Sequence, residues 1–430
     1  MSSAPLEIEA RQLSLPNHLH TFSPQISCLL YDPISSALAL RHSDSSFSLY
    51  PSFTPLSLSS FPRPGSLVPS PTSAAAFLHL RTAANPTTTT VFVTSSPLLR
   101  PSPSTLIRFH VLRGGRFVGA RVVSSHRDLE FDGTKSGVVF KVSHGVSVKL
   151  SGGINVFSLY SVSNSKIWVF AVRSVGDDLK LMKCAVIDCC FPVFAIRVLF
   201  GFLTLGEENG VRFFPLRRLL KGNHKLEKKI NGKKINSRRG STNAIDLAMA
   251  EKKSDSSEKL RCAKIRQDSK DVGAFFVTFD KNADNSTNGK LVKTISIQAL
   301  SPSCFVVLDS DGDVHHLCIS HSVQGLETSC TVRRLTRTMK AAEIAVFHDV
   351  SAVMQFIWMS DGCHTVHVTA VSEADVSSDK IDNKETNENL LQTSVKQTIF
   401  TSEKIQDVVP LAANSVLILG QGNLFAYAIL

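Results

Sequence analysis

Short apolar runs return along the whole chain, each followed by a polar or glycine turn and then a second apolar run. Ala37–Tyr50, Val198–Phe214, Cys304–Ile319, Val353–Val368 and Val416–Ile429 all carry this pattern. The runs are of strand length, rich in β-branched and aromatic residues, and bounded by Ser, Gly, Pro and Asn, the punctuation of β-hairpins. Turn centres fall near Asp44, Leu99, Asn164, Glu207, Asp311, Asp361 and Gln421. Alternation inside a run such as Ile167–Val172 is only partial, as in strands covered on both faces. Long helical periodicity is nearly absent. This repetition predicts an all-β fold, a single β-propeller of about seven four-stranded blades, over a pair of β-sandwiches.

The two ends of the sequence fit ring closure. The final run, Leu424–Leu430, is a strand, and Leu6–Leu15 alternates apolar and polar side chains, so it suits the outer strand of the same blade. Pairing the two would protect an edge that otherwise invites aggregation. Three stretches break the pattern. Pro51–Thr72 is rich in Pro and Ser and predicts a loop. Lys221–Asp271 is polar, charged and without aromatics, so it buries too little to offset its ordering entropy; a short helix over Ala244–Lys252 fits inside it. Ser372–Asn389 holds six acids and two lysines, a second, acidic mobile insertion. Residues 1–430 are therefore read as one propeller domain with disordered insertions at 221–271 and 372–389.

Charge sharpens the picture. The formal net charge is +11, but ten basic residues and one acid lie between Arg217 and Arg239, so that tract accounts for nearly all of it. Basic pairs recur every five residues at Lys228-Lys229, Lys233-Lys234 and Arg238-Arg239, with Arg217-Arg218 upstream. Five matches neither helix nor strand periodicity, so an extended segment suits the pairs, each offering its cations to an acidic groove. The tract reads as a nuclear-import signal for an importin-like carrier. The other readings are a solvated charged loop and a sequence-blind nucleic-acid contact, since no aromatic residue lies near enough to stack on bases. Ser237 and Ser241 sit in contexts that basophilic kinases prefer, and a phosphate on either would offset part of the cluster.

The hairpin Leu308-Asp309-Ser310-Asp311-Gly312-Asp313-Val314 resembles the "SDGxV" inner hairpin of WD-repeat propellers, and Met359-Ser360-Asp361-Gly362 is similar to it. The Trp-Asp strand endings and Gly-His starts of that family are missing, and only Trp168 and Trp358 are present. The resemblance implies a divergent WD-like fold and, by analogy, a scaffold within a larger complex.

Other chemistry is sparse. The nine cysteines lack disulfide or zinc-ligand spacing and predict free, mostly buried thiols; the adjacent Cys189-Cys190 is not a CxxC pair. Asp309, Asp311 and Asp313 superficially match a calcium loop, but its terminal glutamate is absent, which favours a hairpin turn. His315 and His316 are neighbours on a strand and point to opposite faces, so they do not chelate one ion. No GxSxG elbow, phosphate loop or HExxH is present, Gly420-Gln421-Gly422 is a turn, and the sequon at Asn285 reads as loop. The N-terminal residues lack a basic-then-apolar leader, and Glu7 and Glu9 argue against an organellar transit peptide. Cys184–Gly206 is interrupted by Asp188, Pro192 and Arg197, so it predicts buried strands instead of a membrane span.

Together these features predict a non-enzymatic protein-interaction scaffold of a nuclear multiprotein complex, with RNA handling among its contexts. Other subunits and the import carrier are the expected partners, with no cofactor, metal or membrane. The nucleus is the expected compartment, with the cytoplasm second. Two rivals remain: a direct electrostatic nucleic-acid binder using the basic tract, and a propeller hydrolase with its site on the ring axis.

Overall fold

The computed structural model describes residues 7–15, 24–82, 85–98, 103–124, 129–133, 136–142, 147–221, 262–279, 291–321, 328–347, 354–372, 390–391, 393 and 395–430. Among the described residues the strands assemble into seven sheets, each with an antiparallel core. Blade 1 runs Ile26–Asp32, Ala37–His42, Phe47–Tyr50, Ser66–Val68; blade 4 runs Ala195–Leu199, Phe202–Glu207, Gly210–Pro215, Phe275–Thr278. Blade 6 runs Glu343–Val346, Met354–Ser360, Thr365–Ser372, Val395–Phe400. Blade 5 follows the same plan over Thr294–Ala299, Cys304–Asp309, Val314–His321 and Thr328–Leu335, with Leu390–Leu391 added outside. Blade 2 (Ala74–Thr82, Asn85–Leu98, Ser104–Arg113) splits its outer position between Arg116–Gly119 and Gly137–Lys141. Blade 3 (Val148–Gly152, Val156–Ser161, Lys166–Val175, Asp178–Asp188) carries two extra parallel strands, Val122–Ser124 and Ala263–Arg266, on its outer strand.

Six of the seven predicted turn centres fall at the hairpin between the second and third strands of a blade, and the seventh, Leu99, lies outside the described residues. The expected single propeller and its blade number are therefore what the topology shows.

The core explains why alternation is weak. Among the described residues the buried apolar side chains form seven clusters, one for each junction between neighbouring blades. A second strand sends successive residues to opposite neighbours. In blade 5, Phe305 and Val307 pack toward blade 4 while Val306 and Leu308 pack toward blade 6. In blade 7 (Asp407–Ala412, Ser415–Leu419, Asn423–Ile429), Val416 and Ile418 meet Trp358 of blade 6, while Leu417 and Leu419 meet Leu38 and Leu40 of blade 1. A strand buried on both faces reads as a continuous apolar run, and each Leu or Phe so enclosed contributes about 1.5–3 kcal/mol.

Closure follows the expectation. Ile8–Ser14 pairs antiparallel with Asn423–Ile429, in register from Ile8 opposite Ile429 to Ser14 opposite Asn423, and supplies the outer strand of blade 7. Polar links tighten other junctions. Between blades 1 and 2, buried Asp32 binds His79 Nε2 at 2.8 Å and accepts from Thr90 Oγ1 at 3.3 Å. Between blades 2 and 3, the His79 amide donates to the Gly153 carbonyl at 3.0 Å, and the Asn155 amide donates to the His79 carbonyl at 2.7 Å.

Two loop expectations change. Pro51–Thr72 contains a 3-10 turn at Pro55–Ser57 and the outer strand Ser66–Val68, which at three residues is too short to show a period. Lys221 ends a helix, Leu216–Lys221, and Ala263–Arg266 is a strand, so the predicted insertion is ordered at both ends. Residues 222–261, including Ala244–Lys252, lie outside the described residues, as do 373–389. Among the described residues no helix is long and apolar enough to cross a membrane, and Cys184–Gly206 forms strands of blades 3 and 4.

Two outcomes test this packing. A Cβ on Gly152 would lie 2.0 Å from the Phe77 carbonyl oxygen, backbone that cannot yield cheaply. Gly152→Ala should therefore lower stability to urea by about 1–3 kcal/mol. Deleting Phe425–Leu430 removes the strand that holds Ile8–Ser14, and an insoluble or aggregated protein is expected on gel filtration. Unchanged solubility and melting temperature would contradict the closure.

Candidate functional site

The first strand of each blade lines the ring axis; these strands touch one another around most of the ring, blade 7 against blades 1 and 6, and blade 3 against blades 2 and 4. Five side chains on these strands come close enough to influence one another's ionisation: Cys28 in blade 1, Lys149 in blade 3, Arg197 in blade 4, Glu343 in blade 6 and Asp407 in blade 7. The cations stand on blades 3 and 4 and the acids on blades 6 and 7. Arg197 is exposed, yet crowding by the surrounding protein lowers its pKa, and the fields of Cys28 and Asp407 oppose that shift. Lys149 donates its Nζ to the Phe194 carbonyl, and burial with the nearby Arg197 charge lowers its pKa.

The acids differ in their commitments. Asp407 Oδ2 accepts the Leu29 amide of blade 1 at 2.7 Å, and Oδ1 accepts its neighbour's amide, that of Val408, at 2.9 Å. Oδ2 thus joins blades 7 and 1, while Oδ1 stays within blade 7. Burial pushes the Asp407 pKa up in spite of these bonds. Glu343 has a buried oxygen, Oε2, without a hydrogen-bond partner, and burial with the Asp407 charge pushes its pKa up to about 7. Burial also raises the Cys28 thiol well above its ordinary value, with Asp407 adding to the effect. A thiol so protonated is the opposite of an activated nucleophile.

These axial residues were missed from sequence. Their signal was a lone charge inside an apolar first strand, as in Ala195-Ile196-Arg197-Val198-Leu199, but it becomes readable only when strand order is known.

The basic tract is placed only at its ends. Arg217 and Arg218 are exposed on the helix Leu216–Lys221, whose Leu216 and Leu219 are buried between blades 3 and 4. Lys228, Lys229, Lys233, Lys234, Ser237, Arg238, Arg239 and Ser241 lie outside the described residues. The chain returns at the same junction: Ala263 and Ile265 enter the same cluster as Leu216 and Leu219. Fully buried Gln267 then fastens the return, donating to Glu207 Oε1 at 2.8 Å while its own Oε1 accepts the Phe191 amide at 2.9 Å. Glu207 also holds Arg212 at 2.6 Å. At the rim of blades 6 and 7, Arg11, Gln12, Phe400, Phe425 and Tyr427 line an open groove of about 360 Å³, in which Phe400 is 74% exposed.

The aspartate-rich hairpin is a turn, as expected: Asp309 Oδ1 accepts the amides of Asp311 and Asp313 at 2.9 and 3.0 Å. Its other oxygen meets His315 Nε2 at 2.8 Å, and His315 stacks on Phe279. His316 points to the opposite face, where burial lowers its pKa to about 4, the nearby Arg333 charge adding to the shift. The free-thiol expectation fails for two residues. Cys304 and Cys318 form a disulfide across the blade 5 hairpin, the other described cysteines being free. A turn centred on Asp311 places positions 304 and 318 opposite each other, which was the available signal.

No protein-family profile matches the sequence, and no curated protein matches it. The chain is similar to solved propeller structures. The Cps50 (Swd1) β-propeller domain of Myceliophteria thermophila is 6% identical, with 95% of this chain and 98% of that one covered and a TM-score of 0.49. The RRP9 WD40 repeats are 10% identical over 100% and 99% of the two chains, with a TM-score of 0.47. U3-55K is 9% identical over 99% and 100%, with a TM-score of 0.48. At these values the fold assignment rests on the seven sheets themselves: the chain is a seven-bladed β-propeller.

The axial acids generate a pH prediction. Glu343 keeps its proton to higher pH in the folded state than in the unfolded chain, so it withdraws stability as pH rises from its ordinary value of 4.5 to about 7. Glu343→Gln should remove that slope and raise stability at pH 8 by roughly 1–3 kcal/mol, measured by urea unfolding across pH 4–8. Parallel pH profiles for variant and wild type would refute a carboxyl whose pKa is raised by burial.

Proposed function

We propose that this propeller is a non-enzymatic scaffold of a nuclear multiprotein assembly, carried into the nucleus by the tract Lys228–Arg239. The observation that carries the reading is the pair of anchors at the blade 3–4 junction, which fix both ends of the charged segment to one point of a closed ring. Rigid ring and basic segment can then act separately, the first presenting contact surface and the second engaging an acidic groove. Exposed Phe400 beside Arg11 and Gln12 supports protein contact, because an aromatic ring rimmed by polar groups is a common anchor of interfaces.

The hydrolase reading draws no support from the axis. Asp407 has both oxygens bonded to amides, and the Cys28 thiol, which feels the charges of Asp407 and Glu343, is held protonated. Direct nucleic-acid binding is the second reading, and it rests on the net charge of the tract.

One variant separates the two. With Lys228, Lys229, Lys233, Lys234, Arg238 and Arg239 all changed to alanine, the purified protein should keep its melting temperature while a tagged copy shifts from nucleus to cytoplasm. Co-purifying subunits should persist. A variant that stays nuclear but loses salt-sensitive affinity for generic RNA would establish the nucleic-acid reading instead.

A further inference from the structure

Blade 5 holds a group of side chains that the scaffold reading does not use. Cys304 and Cys318 are direct cross-strand partners with Cα atoms 4.3 Å apart. The Ile319 amide donates to the Ser303 carbonyl at 2.8 Å, so the pair sits between ladder bonds, where opposed side chains come closest. His316 lies two residues before Cys318 on the same strand and therefore on the same face. Its Nε2 is 3.6 Å from Cys318 Sγ. One donor atom from each of the three residues falls within 4.8 Å of the others. His316 is buried and the two cysteines are partly exposed, so water can reach the sulfurs to complete a coordination shell.

Two sulfurs and an imidazole on rigid strands form a donor set that suits thiolate-preferring ions, zinc among them. We propose that the reduced Cys304–Cys318 pair, with His316, binds one zinc ion, and that the disulfide is the closed, metal-free form of the same site. Opening it takes two electrons and two protons from a dithiol reductant, which is itself oxidised to a disulfide, and leaves two thiols on blade 5. Zinc then displaces both thiol protons, forming two Zn–S bonds, while His316 donates a ring-nitrogen lone pair and water fills the remaining position.

The test uses the full chain, reduced with a dithiol under anaerobic conditions, stripped with a chelator and desalted. Zinc uptake is measured by competition with a chromophoric chelator, and Co²⁺ reports thiolate ligation through its sulfur-to-metal charge-transfer absorption. The reduced wild type should take up one more equivalent of zinc than the Cys304→Ser/Cys318→Ser variant and than the oxidised protein. It alone should show the full cobalt band. His316→Gln should weaken binding by more than about tenfold, the least that loss of a mere outer-shell partner produces. Equal uptake by the reduced wild type and the double variant would overturn the proposal. Should the double variant fail to fold, alkylation of the reduced wild type decides the matter. Zinc must slow modification of Cys304 and Cys318 together, and unchanged rates at both refute the site.

Discussion

The structure depends on one constraint: every blade is apolar on both faces, so no blade is stable without two neighbours. Seven clusters at seven junctions meet that demand only when the last sheet meets the first. The pairing of Ile8–Ser14 with Asn423–Ile429 is therefore more than a local contact. It joins the most distant parts of the chain and supplies blade 7 with the strand its own sequence segment lacks. Such long-range pairing is entropically late, so the ring gains its full stability at the end of folding.

The axis presents the opposite problem. The inward positions of the first strands cannot all be apolar where water enters, nor freely charged where protein crowds them. Arg197, Lys149, Asp407 and Glu343 resolve this unequally: Lys149 and Asp407 bond to backbone, Arg197 feels the field of Asp407, and Glu343 keeps an unpartnered oxygen. Its raised pKa is the physical record of that imbalance.

What could be read from sequence followed the strength of the local pattern. The central hairpins were legible because their second and third strands are long, doubly buried and joined by Asp- or Gly-bearing turns such as Asp309–Asp313. Ser66–Val68 and Val122–Ser124 were not, since three edge residues carry no period, and the alternating Ala263–Arg266 is too short to stand out from the charged stretch before it. The axial charges needed strand order before they meant anything. The Cys304–Cys318 pairing was nearer the surface of the sequence, for the hairpin register alone sets the two residues face to face. The import-like tract stood out by charge, yet charge fixes no geometry, and only Arg217 and Arg218 gained a place in the fold.

The two feet of the segment 222–261 stand on one junction, with Leu216 and Leu219 at the exit and Ala263 and Ile265 at the return. A loop that leaves and rejoins a body at the same spot has no lever arm across it. For a flexible loop closed in this way, each added residue costs only a slowly growing entropy. The junction is in that sense a socket: substitutions between residues 222 and 261 leave untouched the packing of Leu216, Leu219, Ala263 and Ile265 on which the fold depends there.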